Sequence, residues 1–180
     1  MLKNLCQRKR SDSTIVLKEI FSFPDTVNEY AARTVAAFVV ILATTYLLTE
    51  NILVLVFILY GFAARVIAGP SLSPLALIAT KVIVPALGNP TLVCPGPPKR
   101  FAQMIGLIVT SAALVGVFSG HAFLGYECVA LLCLFASLEA AIGFCAGCGL
   151  FRKMMGWGWI PQEVCEKCNQ IALRQTGQSS

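Results

Sequence analysis

Two Cys-x-x-Cys pairs near the C-terminal end are the residues best suited to chemistry in this sequence. The first is Cys145/Cys148 in GFCAGC, the second is Cys165/Cys168 in VCEKC, and 16 residues separate them. Four thiolates with this spacing can bind zinc tetrahedrally in a closed structural site. Alternatively, one pair is oxidised and the other resolves it by thiol-disulfide exchange, or one cysteine carries an extra sulfur as a persulfide. The spacing leaves these three chemistries open.

The surroundings of the first pair favour reactive thiols. Cys145 and Cys148 are three residues apart, so on one helix they would share a face. Arg152 and Lys153 follow within two turns, and nearby positive charge favours the thiolate, which is the reactive form of cysteine. A structural interpretation is that small residues here allow helices to pack closely. Cys94, in the Pro-rich sequence VCPGPP, is a further candidate participant.

Two charged residues, Arg65 and Glu139, fall inside apolar stretches. Ionisable residues in a membrane are costly, and they mark paired or functional positions. Glu139 precedes Cys145 by six residues, which places it about 9 Å deeper along a helix. We predict that Arg65 and Glu139 pair inside the bundle, either to orient helices or to form an anion or proton site near the thiols. Lys99 and Arg100 are expected beside the thiols, where they would attract anions or acidic lipid headgroups.

The composition indicates a protein whose solvent is a lipid bilayer. Hydrophobic residues make up 57% of the 180 residues, charged residues only 13%, and the mean hydropathy is +0.75. Soluble domains carry about 25% charged residues. The net charge of +5 is scattered over segment ends, which excludes a nucleic-acid interface. The first 20 residues lack an apolar core and a cleavage site, so no signal peptide is expected.

Four apolar stretches define the predicted fold. Each is near the roughly 20 residues needed to cross the hydrocarbon core. They are, approximately, Thr34–Leu48, Ile52–Ala68, Phe101–Phe118 and Ala122–Phe144. Connectors of three residues make two tight hairpins, so we predict an all-α integral membrane protein with four transmembrane helices. The predicted domains are a basic flexible tail (1–22), a four-span membrane domain (23–150) and a Cys-containing tail (151–180).

The segment between the hairpins is predicted to be a short helix followed by a Pro-rich loop. Ser73-Pro74 is typical of a helix cap followed by proline at the first helical position. Lys81 and Pro85 make Leu75–Val84 an interfacial or re-entrant helix rather than a fifth span. The prolines at 90, 95, 97 and 98 then predict a stiff extended loop.

The distribution of positive charge predicts the orientation. With four spans, all 14 Lys and Arg residues fall on one side of the membrane, and the two tight turns have none. The positive-inside rule therefore places both termini and the central segment in the cytoplasm, at the inner membrane if the source is bacterial. Stable structural disulfides are disfavoured on that reducing side.

Several segments resemble one family of small, mainly bacterial membrane proteins. They are VNEYAARTVAAF, YGFAARVIAGPSLSPLA, PGPPKRFAQMIG and GFCAGC. The family is catalogued as domain of unknown function 4395, and the resemblance covers about residues 23–150. It implies a multi-span membrane protein with Cys145 and Cys148 as signature residues, and it supplies no activity. It also draws attention to Arg65, Ser73, Pro74, Lys99, Arg100 and Phe101.

Three function hypotheses follow from the sequence. The first is a thiol redox or sulfur-relay protein, with Cys145 or Cys148 reactive and Cys165/Cys168 as the resolving pair, serving a thioredoxin-like or sulfur-donor partner. The second is a structural membrane protein whose tail is clamped by zinc on all four of these cysteines. The third is a small-anion transporter subunit. Four spans are few for a monomeric transporter, so this hypothesis requires a homo-oligomer. The small residues Ala112, Gly116 and Gly120 favour close helix packing and fit a compact bundle or an oligomer.

Overall fold

The structure, a computed structural model, describes residues 26–88 and 92–157. The predicted N-terminal tail (1–22), the second cysteine pair (Cys165 and Cys168) and most of the predicted C-terminal tail lie outside these residues. In chain order, the elements are β1 (Thr26–Asn28), α1 (Glu29–Thr49), α2 (Ile52–Ala68), α3 (Pro74–Ala86), β2 (Val93–Pro95), α4 (Gly96–Phe118), α5 (Ala122–Ile142) and α6 (Ala146–Gly156).

Four of these helices, α1, α2, α4 and α5, are long and apolar enough to cross a membrane. This confirms the four predicted stretches, with α1 and α4 starting earlier than expected. Asn28 caps α1 by accepting hydrogen bonds from the N–H groups of Tyr30 and Ala31. Helix α4 already includes Pro97 and Pro98 in its first turn, where a missing N–H costs no helical hydrogen bond.

The long helices form two antiparallel hairpins that close into a four-helix bundle. Glu50 adopts a left-handed conformation (φ 51°) after α1, and the Asn51 side chain caps α2. Residues 119–121 join α4 to α5. Helix α1 packs on α5 and α2, and α4 packs on the same two helices. The start of α1, the end of α2, the start of α4 and the end of α5 therefore share one end of the bundle.

The bundle core contains two apolar clusters. The cluster nearer the shared end consists of Val39, Ile58, Phe62, Leu132 and Ala136. The other consists of Ala43, Tyr46, Leu55, Ala113 and Val129. Large apolar side chains also cover the outside of the bundle: Leu48, Leu53, Phe118 and Phe123 are each at least 72% exposed. Such a surface suits lipid rather than water.

Two short strands and two short helices cover the shared end. Strand β1 pairs antiparallel with β2, with Val27 opposite Cys94, and so ties the start of α1 to the start of α4. Helix α3 contains a π-helical turn (Ala79–Ile83) and packs on α1. Helix α6 packs on α4. The prediction of a short helix after Ser73 is confirmed, whereas the extended loop predicted through Pro98 is wrong, because its second half is the first turn of α4.

Candidate functional site

Cys145 and Cys148 stand at the start of α6. Helix α5 ends at Ile142, because Gly143 takes a left-handed conformation (φ 72°). Cys145 lies just before α6, and Cys148 lies in its first turn. The backbone N–H of Cys148 donates to Cys145 Sγ at 3.4 Å. The two cysteines were predicted to share one helix face; instead, Cys145 lies before the first residue of α6, and its Sγ acts as an acceptor at this helix N-terminus.

Arg33 binds the C-terminal end of α5, where the chain leaves the bundle. Its Nη2 donates to the carbonyl of Ala141 at 2.6 Å, and its Nε donates to the carbonyl of Ala140 at 3.3 Å. These bonds satisfy carbonyls that the end of a helix leaves without partners. No motif in the sequence indicates that Arg33 binds a helix end 107 residues away.

Glu139 forms an ion pair with Lys99, not with Arg65. Lys99 Nζ lies 2.6 Å from Glu139 Oε1, and the two side chains are only 7% and 21% exposed. The predicted Arg65–Glu139 pair is thus wrong. The cause is the early start of α4, which places Lys99 on a helix that packs directly on α5.

Arg65 is also buried, with 3% of its surface exposed, and it has other partners. Its Nη1 donates to Ser73 Oγ at 3.3 Å, and its guanidinium lies 4.6 Å above the centre of the Phe62 ring. Ser73 stands at the N-cap of α3, as predicted, but its side chain makes no capping bond. The Nε of Arg65 has no hydrogen-bond partner among the described residues.

Arg100 is exposed, unlike its buried neighbour Lys99. Its Nε donates to the carbonyl of Val66 at 3.1 Å. A cavity lies between the helices beside Cys145, and among the described residues Lys99 lines it whereas Arg100 does not.

The pKa values of the two thiols are shifted in opposite directions. The pKa of Cys145 is lowered chiefly because the Cys148 side chain hydrogen-bonds to it, with the Cys148 N–H and the charge of Lys99 acting in the same direction; burial and Glu139 oppose them. The pKa of Cys148 is raised by that same hydrogen bond, by burial and by the Cys145 charge. Cys145 is therefore the more acidic thiol of the pair, and Cys148 is the one that keeps its proton to higher pH.

Cys94 has a different character. Its Sγ–H donates to the carbonyl of Val27 at 3.2 Å. Burial, with a smaller contribution from Glu29, raises the pKa of Cys94 to about 12. It stays a neutral thiol and provides an internal reference for an unactivated cysteine.

A cavity of about 540 Å³ lies between the helices next to these groups. Arg65, Lys99, Glu139 and Cys145 contribute to its wall, and most of its other lining residues are apolar. Of the charges on this wall, that of Lys99 favours the thiolate form of Cys145 and that of Glu139 opposes it.

The predicted zinc site depends on residues that are not described. Among residues 26–88 and 92–157, no group of three or more His, Cys, Asp or Glu side chains is placed to bind a metal ion. Cys165 and Cys168, which would complete a four-thiolate site, lie outside these ranges. The zinc hypothesis stays a prediction.

Comparison with protein families identifies the family of this chain. The family described as "Domain of unknown function (DUF4395)" matches residues 27–155. The chain belongs to this family. The match includes Lys99, Glu139, Cys145 and Cys148, and it ends before Cys165. Comparisons with curated proteins and with solved structures gave no match. The four long apolar helices indicate an integral membrane protein.

The glycine inside the Cys-x-x-Cys motif is predicted to be essential for the contact between α6 and α4. A Cβ at Gly147 would lie 2.6 Å from the Cα of Ala102, a backbone atom that cannot move aside. We therefore expect Gly147→Ala to lower the free energy of unfolding by about 1–3 kcal/mol, as overpacking does. Gly149→Ala is the matched control, because a Cβ there meets no atom within 4 Å. Equal unfolding curves for the two variants in detergent would contradict the close packing of these helices.

Proposed function

We propose that this integral membrane protein is a thiol redox or sulfur-relay protein in which Cys145 is the attacking thiolate and Cys148 the resolving thiol. The observation that carries the proposal is the hydrogen bond from the Cys148 N–H to Cys145 Sγ at the start of α6, beside Lys99. This arrangement gives one nucleophile and one proton-holding partner three residues away. Cys165 and Cys168 would then be a second pair to which the disulfide passes.

The reaction steps follow from ordinary thiol chemistry. The Cys145 thiolate attacks one sulfur of a substrate disulfide, a mixed disulfide forms, and the other substrate sulfur leaves as a thiolate. Cys148 then loses its proton and attacks Cys145 Sγ. This forms the Cys145–Cys148 disulfide and releases the second substrate thiolate. With a persulfide donor, Cys145 instead takes the outer sulfur, and the donor leaves as a thiolate.

The charge distribution supports a cytoplasmic location for this site. The described Lys and Arg residues all lie on the elements that meet at the shared end: Arg33, Arg65, Lys81, Lys99, Arg100, Arg152 and Lys153. The opposite end carries Glu50, His121 and Glu127. The positive-inside rule favours the shared end in the cytoplasm. A thioredoxin-like or sulfur-donor protein of that compartment is the partner this site would serve.

Alkylation as a function of pH tests the proposed roles. The reduced full-length protein in nanodiscs would be treated with iodoacetamide, and mass spectrometry would follow each cysteine. We expect the midpoint of Cys145 alkylation to lie below that of an ordinary thiol, about 8.5, and the midpoints of Cys148 and Cys94 to lie above it. The proposal fails if Cys145 at neutral pH reacts no faster than free glutathione.

The orientation is tested by labelling intact cells with a membrane-impermeant maleimide. His121→Cys places a thiol in the exposed turn between α4 and α5, and Arg152→Cys places one on the exposed surface of α6. We expect labelling above the wild-type background at position 121 in intact cells and at position 152 only after permeabilisation. The reverse pattern would place the dithiol outside the cytoplasm.

A further inference from the structure

The cavity beside Cys145 extends from the thiol to the lipid-facing surface. Cys145 contributes to its wall, and Cys148 does not. Leu131 and Phe135, on α5, also line it, yet they are 47% and 42% exposed on the outside of the bundle. Residues of the lipid-facing surface and Cys145 therefore line one cavity, which is the arrangement that an apolar ligand from the bilayer requires.

Two residues that line the cavity carry buried hydrogen-bonding atoms without partners among the described residues. These atoms are the Nε of Arg65, a residue only 3% exposed, and the Oε1 of Gln103. A buried donor or acceptor without a partner costs about 1–3 kcal/mol. The ligand that fits such a wall is apolar, with at least one oxygen able to accept from Arg65 and, in one of its states, to donate to Gln103.

From this geometry we infer that the cavity binds a membrane-soluble quinone, whose ring accepts two electrons from the Cys145–Cys148 dithiol. The inference rests on the proposed redox function and names its oxidant. A quinone has carbonyl oxygens that accept from Arg65, and its reduced form has hydroxyl groups that donate to Gln103. The volume of about 540 Å³ falls within the range of about 300–1,000 Å³ that small-molecule sites occupy. A lipid acyl chain would fill the apolar part and leave both polar atoms without partners.

The step balances with the groups present. The Cys145 thiolate adds to a ring carbon, forming a carbon–sulfur bond, and the ring gains negative charge on oxygen. Cys148 gives up its proton and attacks Cys145 Sγ. The carbon–sulfur bond breaks with its electron pair staying on the ring, and the Cys145–Cys148 disulfide forms. The dithiol loses two electrons, the ring gains them, and two protons complete the hydroquinone: one from Cys148 and one from solvent, which had received that of Cys145.

Anaerobic mixing of the reduced protein with decylubiquinone tests the inference. The full chain in nanodiscs would be reduced, freed of reductant and mixed with the quinone, which has no unsubstituted ring carbon and so resists permanent thiol addition. We expect one hydroquinone per chain by ultraviolet absorbance, together with a Cys145–Cys148 disulfide by mass spectrometry. Cys145→Ser should abolish both signals.

A matched pair of variants tests whether the cavity is the site. Ala32 lines the cavity, whereas Ala37, on the same helix, is exposed and does not. We expect Ala32→Phe to slow hydroquinone formation at least tenfold and Ala37→Phe to leave it unchanged, with both variants monodisperse in detergent. Equal rates for the two would overturn the cavity as the quinone site. Fast alkylation of wild-type Cys145 without hydroquinone formation would refute the quinone and leave the proposed thiol function intact.

Discussion

Replacing Glu139 with Gln is expected to destabilise the protein by about 3 kcal/mol, because breaking a buried ion pair leaves the other charge without compensation. The Lys99 side chain is only 7% exposed, and its Nζ lies 2.6 Å from the Glu139 carboxylate. The 21% exposure of Glu139 admits some screening, so we expect the lower part of the range of about 3–5 kcal/mol that buried pairs show. Denaturation in mixed detergent micelles measures the effect.

Two comparisons decide whether the pair causes that loss. Glu127→Gln makes the same chemical change at an exposed position of α5, and it should shift stability by no more than about 0.5 kcal/mol. The double variant Lys99→Met/Glu139→Leu removes both charges and should be less destabilised than Glu139→Gln alone. If the loss of stability in the double variant equals the sum of the losses in Lys99→Met and Glu139→Leu, the two residues are not coupled.

Cys148→Ser is expected to trap a mixed disulfide on Cys145. In the wild type, glutathione disulfide attacked by Cys145 should give a glutathione adduct that Cys148 resolves within the chain. Without Cys148, that adduct has no resolving thiol three residues away and should accumulate towards one per chain. Its rate of formation should fall as the pH falls through the pKa of Cys145, because only the thiolate attacks the disulfide.

The matched experiment is Cys145→Ser under the same conditions. In the wild type, the hydrogen bond with Cys145 and burial raise the pKa of Cys148; burial remains in this variant, so glutathione should be incorporated at Cys148 more slowly than at Cys145. Site-resolved mass spectrometry separates these cysteines from Cys94, Cys128 and Cys133. Equal modification of Cys145 and Cys148 in the two single variants would show that neither is the preferred nucleophile.

The sequence predicted the fold better than it predicted the site. Length and apolar composition suffice to locate a membrane helix, because lipid leaves the backbone no other structure. The second span, Ile52–Ala68, was therefore predicted with the bounds that the structure shows. The beginning of α4 was missed, because its prolines suggested a loop, although proline is compatible with a first helical turn.

The chemistry of the site depends on contacts between segments distant in sequence. Glu139 had two buried cations as possible partners, Arg65 and Lys99, and only the packing of α4 on α5 selects Lys99. The role of Cys145 likewise depends on a helix break at Gly143, which turns an apparent helix face into the N-terminus of α6. The available signal for that break was Gly143, two residues before Cys145, since glycine favours the left-handed conformation after a helix.

The most direct test of the proposed dithiol is to map disulfides in the wild-type chain after equilibration with glutathione redox buffers. Peptide mass spectrometry would show which sulfur is bonded to Cys145. The proposed function predicts a Cys145–Cys148 linkage that forms and disappears reversibly as the buffer potential changes. A chain in which Cys145 and Cys148 both stay reduced under oxidising buffers, or in which Cys145 bonds only to cysteines outside the two Cys-x-x-Cys pairs, would contradict it.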